Sequence, residues 1–373
     1  MRKSGAVVAV GVAGLLVASV TLTGQTGRGA APAPVVRSTA GRTAGAPRTV
    51  DGHPDFQGVY DVATLTPLER PAQFGTSVTM TDEQARRLEG AVAERSARLN
   101  RPSDGNRPAP PIGGDGSTGA AGNVGGYNNF WIDPGTAYFA IEGLKRTSVI
   151  IDPPDGKIPE LTPAARQRNA ARIIRTTSDA AESNDPGLEG PGAYDDPERR
   201  PLGERCILGF GSTSGPPALP VLYNNLHQIV QTRDRVLIMN EMVHDARIIR
   251  MNATHLPPAV RRWMGDSVGR WEGDTLVVDT TNFTDKTRFR GSSDQLHVVE
   301  RFSRLDDRTL LYRFTVDDPT TWTRPWTGEY IWPQTDQLLY EYACHEANYA
   351  LTNILSGARQ RDRERSAGAV ANR

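Results

Sequence analysis

Residues 296–316 read LHVVERFSRLDDRTLLYRFTV, and this stretch decides the fold class. After the acidic pair Asp306-Asp307, Leu310, Tyr312, Phe314 and Val316 recur at every second position; before it, Val298 and Phe302 flank Glu300 with the same spacing. A period of two sends alternate side chains to opposite faces of a strand, and the acidic pair between the runs supplies a turn. The two runs therefore read as neighbouring strands. Val298, Glu300 and Phe302 share one face of the first strand, opposed to Val299 and Arg301; Leu311, Arg313 and Thr315 oppose Leu310, Tyr312 and Phe314 on the second. Whichever face is inside, at least one strand brings a charge toward the core or a cavity.

The same signal extends outward from this pair. LHQIVQT (226–232), RVLIMNEMV (235–243), ARIIRM (246–251), DTLVVDTT (274–281) and TGEYIW (327–332) are separated by turn residues such as Arg233-Asp234 and Glu272-Gly273-Asp274. Strands in such quick succession are expected to pair antiparallel with their neighbours. Together with short upstream segments in HPDFQGVYDV, YNNFWIDPG, TAYFAIEG and KRTSVIIDPPDGKIP, they suffice to close a barrel or stack a sandwich. Helices are few. Thr81-Asp-Glu-Gln84 is a capping box that opens a helix through Leu99, Thr162-Pro163 opens a second, and His345 to Leu355 is expected to be a third, able to plug an end. The expected fold is mainly β, an antiparallel barrel or sandwich with a few surface helices.

The ends and the composition place the chain. Met1-Arg2-Lys3 is followed by an uncharged, largely apolar run from Ser4 to Gly27, which reads as a signal peptide over 1–27, with an uncleaved N-terminal anchor as the alternative. Residues 28–50 form a flexible linker, 51–358 a single β-rich domain, and 359–373 a solvated tail. A periplasmic or secreted location follows. Lys plus Arg and Asp plus Glu are both 43, so no net field attracts nucleic acid, and a membrane is expected only through the N-terminal anchor. Two cysteines in an exported chain most simply form one disulfide, Cys206 to Cys344; two buried thiols or a metal pair are the alternatives.

The block GRWEGDTLVVDTTNFTDKTRFRGSS, with LHVVERF, DDPTTWTRPWT and EYACHEANY, resembles a family of secreted proteins common in soil bacteria that have no assigned activity; the resemblance runs from Pro54 to Arg359. WEGDTLVV is also similar to hairpins of lipocalin-like barrels. That similarity implies an interior that holds a small ligand, with catalysis optional.

Chemistry is sought among charged residues within apolar strands. His227, His244, His297 and His345 lie in or just after the β region, but none stands at the spacing of metal ligands, so no metal and no cofactor are expected. Glu300, Arg313, Arg247 and Glu329 are expected to line a polar pocket in a barrel mouth or, on the plainer reading, to face solvent. Ser292 and Ser293 lack the elbow of a serine hydrolase. Trp263, Trp271, Trp322, Trp326 and Trp332 either stack on a ligand or fill the barrel, and DDPTTWTRPW is a candidate ligand rim. The reading that results is a barrel protein binding a small apolar or aromatic ligand through Arg313, Asp317, Trp322, Trp326 and His297. The alternative is a lyase, isomerase or hydrolase acting on a small molecule or sugar through His244, Asp245, Arg247 and Glu300.

Overall fold

The computed structural model describes residues 47–101, 106, 132–177, 194, 196–209, 215–346 and 348–371. The stretch expected as a leader, most of the expected linker and nearly all of residues 102–126 lie outside these residues. In chain order the elements are β1 (Gly58–Asp61), β2 (Thr79–Met80), α1 (Asp82–Leu99), β3 (Ala140–Ile141), β4 (Leu144–Arg146), β5 (Ile150–Asp152) and α2 (Pro163–Thr177). They continue with β6 (Leu226–Gln231), β7 (Arg235–Asn240), β8 (Ala246–Met251), β9 (Asp266–Glu272), β10 (Thr275–Thr281), β11 (His297–Arg304), β12 (Thr309–Asp317), β13 (Trp326–Thr335) and α3 (Tyr349–Ala371).

Nine strands close a barrel in the order β1, β6, β7, β8, β9, β10, β11, β12, β13, with β13 pairing back onto β1. The closing seam is shared. β1 takes Gln334 and Thr335 of β13, and β5 adds to the opposite half of the same strand at Thr327 and Gly328. β2, β4 and β3 make a separate small sheet.

The barrel is mixed, which corrects the expectation of antiparallel neighbours throughout. β8 and β9 run parallel, paired only at Arg250 with Val268 and Met251 with Gly269. Parallel neighbours need a crossover, and the segment from Asn252 to Gly265 provides it. β9 was not among the strands expected from alternation, although its last two residues open the hairpin-like WEGDTLVV stretch.

Both helix starts form as their residues require. Thr81 accepts from the Gln84 amide while the Gln84 side chain accepts from the Thr81 amide, and the Thr162 hydroxyl accepts from the Ala165 amide. α3 starts later than the expected helix and runs on to Ala371, through most of the stretch read as a solvated tail. Among the described residues no helix is long and apolar enough to cross a membrane. The disulfide between Cys206 and Cys344 is formed.

The alternation in β11 and β12 resolves as one filled face. Val298, Glu300 and Phe302, with Leu310, Tyr312, Phe314 and Val316, all turn inward and are buried. Tyr330 and Trp332 from β13 and Tyr60 from β1 join them. Tyr312 stands edge-on to Tyr330 at 5.3 Å, Phe302 edge-on to Trp332 at 5.4 Å, and the His227 ring stacks on Trp332 at 4.7 Å. Each such aromatic pair adds about 0.5 to 1.5 kcal/mol beyond the area it buries. The middle of the barrel is therefore a packed aromatic core rather than a lipocalin-like hollow.

Candidate functional site

The strand directions gather one set of loops at one end of the barrel, here the upper end. β6, β8, β9, β11 and β13 begin there, and β1, β7, β10 and β12 end there. The rim consequently holds the segment after β1, the approach to β6, the turn from Glu241 to Asp245, and the β10–β11 and β12–β13 connections.

Just inside this rim lies a buried polar network. Glu300 is 0% exposed and Arg247 6%, and the guanidinium grips the carboxylate with both Nη atoms. Tyr312 donates its hydroxyl to Glu300 Oε1 at 2.8 Å and accepts from the Ala218 amide at 3.1 Å, while the Tyr330 hydroxyl donates to the Ala218 carbonyl at 2.9 Å. Both oxygens of Glu300 are occupied by protein. Three of its roughly four lone-pair sites are filled from within the protein, and the pair is a structural clasp across the barrel.

Beside it, Asn240 donates from Nδ2 to the Asp245 carbonyl at 3.2 Å, so its Oδ1 faces His227 and accepts from Nδ1–H at 2.6 Å. Burial pushes the His227 imidazole down to about 4, against the raising effect of Asn240, with Arg247 lowering it further. This depressed value makes His227 a source of acid sensitivity. The neutral ring is stable above 6.5; between 6.5 and about 4 only the unfolded chain takes a proton, so folded stability falls with pH there by about 3 kcal/mol in total. Asp245, raised to about 7, works the opposite way, since its stabilising protonated form is lost as pH climbs from 3.8 toward 7. The test is therefore a difference. Denaturant unfolding of the parent and of His227→Gln across pH 4 to 6.5 should diverge in the parent's favour by about 3 kcal/mol as pH rises, and parallel curves would refute the assignment.

The four residues expected to share a polar pocket do not. Arg247 and Glu300 point into the barrel, whereas Arg313 and Glu329 sit on the outer face, because each occupies the other parity of its strand. There Glu329 accepts from Arg313 at 2.6 Å and from Arg146 of β4 at 2.9 Å, fastening the small sheet to the barrel wall. Arg313 thus braces the outer wall through Glu329 and does not reach the barrel interior.

Trp322 and Trp326 are a second correction. They are 2% and 0% exposed, cross edge-to-face at 6.0 Å, and belong to the core under the β12–β13 connection, so neither offers a face to a ligand. Asp318 staples that loop by accepting from the Ser293 amide and hydroxyl and from the hydroxyls of Thr320 and Thr321. Burial alone would raise its carboxyl, and these bonds hold it below 3.8 instead.

His297 and Asp317 pair in register on the outer face of β11 and β12. His297 Nε2 also contacts Asp279 at 3.1 Å, and Asp279 meets His255 Nε2 at 3.0 Å, whose Nδ1 faces Asp266 at 3.1 Å. Hydrogen bonding to Asp279, opposed by burial and aided by the charges of Asp279 and Asp317, raises His297 above 6.5. The ladder fixes the crossover, through His255, against β9 and β10. Among the described residues no three His, Cys, Asp or Glu side chains converge to hold a metal ion.

His244 and Asp245 occur in a strained turn at the rim, where Val243 and His244 adopt φ of 61° and 44°. His244 is exposed and its Nδ1 lies 3.2 Å from the Tyr342 carbonyl. Burial pushes the Asp245 carboxyl up to about 7, and its buried Oδ2 has no hydrogen-bond partner. Of the four expected catalytic residues, this adjacent pair alone lies outside the clasp.

Two clefts open near the rim. The larger, about 540 Å³, runs along the disulfide between Asn224, the segment from Glu341 to Cys344 and the start of α3. The other, about 350 Å³, is lined by Thr64 to Leu68, Pro134, Val149 and Leu219 to Leu222, with Arg290 as its single charged residue. Phe289, buried and stacked on Trp326 at 6.1 Å, anchors the turn that carries Arg290. Among the described residues Arg290 has no hydrogen-bond or ion-pair partner.

The sequence reading missed this cleft, and it missed the Tyr312 and His227 roles. Leu65, Leu68, Leu219 and Leu222 stand in irregular segments without periodicity, so nothing local marks them as one lining. No family model matches the chain, and neither a curated protein nor a solved structure matches it significantly.

Proposed function

We propose that the chain is an exported β-barrel protein that binds a small apolar ligand in the 350 Å³ cleft at the upper rim, outside the filled barrel. The observation that carries this reading is the lining: leucine, proline and valine side chains around a concave space within the size range of small-molecule sites. The disulfide supports an oxidising compartment, and the resemblance to exported proteins of soil bacteria points the same way. Leu222 is 60% exposed on the cleft wall, so changing it leaves the core intact. Calorimetric titration with eight-carbon ligands, octanoate and 1-octanol, should show saturable binding at one site, weakened about tenfold by Leu222→Asp through the lost apolar contact. Absence of saturable binding by both ligands, or binding indifferent to Leu222→Asp, removes the proposal.

A second reading rests on Asp245. A carboxyl poised near neutrality with an unsatisfied buried oxygen, next to the exposed His244, is suited to acid–base chemistry on a small molecule.

A further inference from the structure

We infer that the ligand of the rim cleft is an apolar carboxylate whose charged group is held by Arg290. The inference rests on the apolar cleft reading and adds the chemical class of its occupant.

Three observations converge on Arg290. It is the one charged residue of a lining otherwise made of aliphatic, prolyl and threonyl side chains, so a ligand seated there has an apolar body and can carry opposite charge at a single place. Its guanidinium has no acidic partner among the described residues, while Arg247, Arg313 and Arg250 are each committed to a carboxylate. The backbone that presents it is unusual as well. Arg288 and Arg290 both adopt the left-handed conformation, with φ of 53° and 49°, on either side of the buried Phe289. Residues bearing side chains occupy that region at a cost, and here the buried ring fixes the turn.

A guanidinium offers two parallel N–H donors matched to the two oxygens of a carboxylate, and next to an apolar wall that pairing is less screened than in open water. A neutral alcohol of equal chain length fills the same volume without it. The carboxylate therefore gains specifically from Arg290, and the apolar tail gains from the leucines.

The same calorimetric pair separates this inference from the reading beneath it. Octanoate should bind about tenfold more tightly than 1-octanol, and Arg290→Gln, at an exposed position outside the core, should abolish that difference while leaving 1-octanol unchanged. The preference should also shrink as salt is raised, since the pair is near the surface. If 1-octanol binds as tightly as octanoate, or Arg290→Gln keeps the preference, the carboxylate assignment falls and the apolar cleft stands. If neither ligand binds, both fall.

Discussion

Replacing Glu300 by Ala is expected to destabilise the fold by about 3 to 5 kcal/mol, the cost of leaving a buried cation without its counter-charge. Arg247 would keep its charge inside the barrel, 6% exposed, with its two carboxylate acceptors gone. Tyr312 would lose its acceptor in the same step. The penalty thus measures desolvation rather than the net worth of the pair. A double variant, Arg247→Met with Glu300→Leu, tests this distinction, since replacing both charges by apolar groups of similar size is often neutral or stabilising. Denaturant unfolding should show Glu300→Ala far below the parent and the double variant close to it. A loss under about 1 kcal/mol for Glu300→Ala would mean that water reaches Arg247 and that the clasp is open.

The disulfide should contribute comparably. It joins residues separated by 138 positions, and in the chain-entropy model closing such a loop stabilises by about 5 kcal/mol through the unfolded state. Cys206→Ser with Cys344→Ser, or reduction of the parent, should lower the denaturation midpoint, and the oxidised parent should lose its advantage when reductant is added. The bond joins the segment that carries Cys206 to the one leading into α3, and Asn348 donates to the Glu204 carbonyl alongside it. Equal midpoints with and without the bond would show that these two segments are held equally well by other contacts.

How much of this was legible varies along the chain. The alternation in β11 and β12 announced their strands, because a strand half facing a core must repeat every two residues. β9 was nearly silent for an equally local reason. Its inward positions are Ser267, Gly269 and Trp271, and a Cβ on Gly269 would lie 2.7 Å from the Met251 sulfur and 2.8 Å from an Ile249 methyl. The bulk beside Ser267 and Gly269 is supplied by β8, so only Trp271 at the end of β9 marks its inward face. Its parallel pairing was hidden for another reason: the crossover from Asn252 to Gly265 is about as long as the antiparallel β10–β11 connection from Asn282 to Leu296, so length does not tell the two apart.

The candidate site was legible in parts. His244 and Asp245 were named among the four expected catalytic residues, and the structure places both in the rim turn, with Asp245 half-buried. Arg247 and Glu300 were grouped with Arg313 and Glu329 as charges of one polar pocket, and alternation could not tell which of the four turned inward. Trp322 and Trp326 are identical in composition to a stacking platform, and only burial reveals them as core.

By itself the sequence determined the elements that depend on neighbours a few residues away: strand runs, both capped helices, the turns, and the one cysteine pairing available. The tertiary structure decided which face of each strand turned inward, how the ring closed through β13 and β1, and which segments met to form the rim cleft. The division is physical. Backbone geometry imposes its period on adjacent residues, whereas Arg247 meets Glu300, and Arg290 comes to line one cleft with Leu65, only after distant strands have chosen their partners.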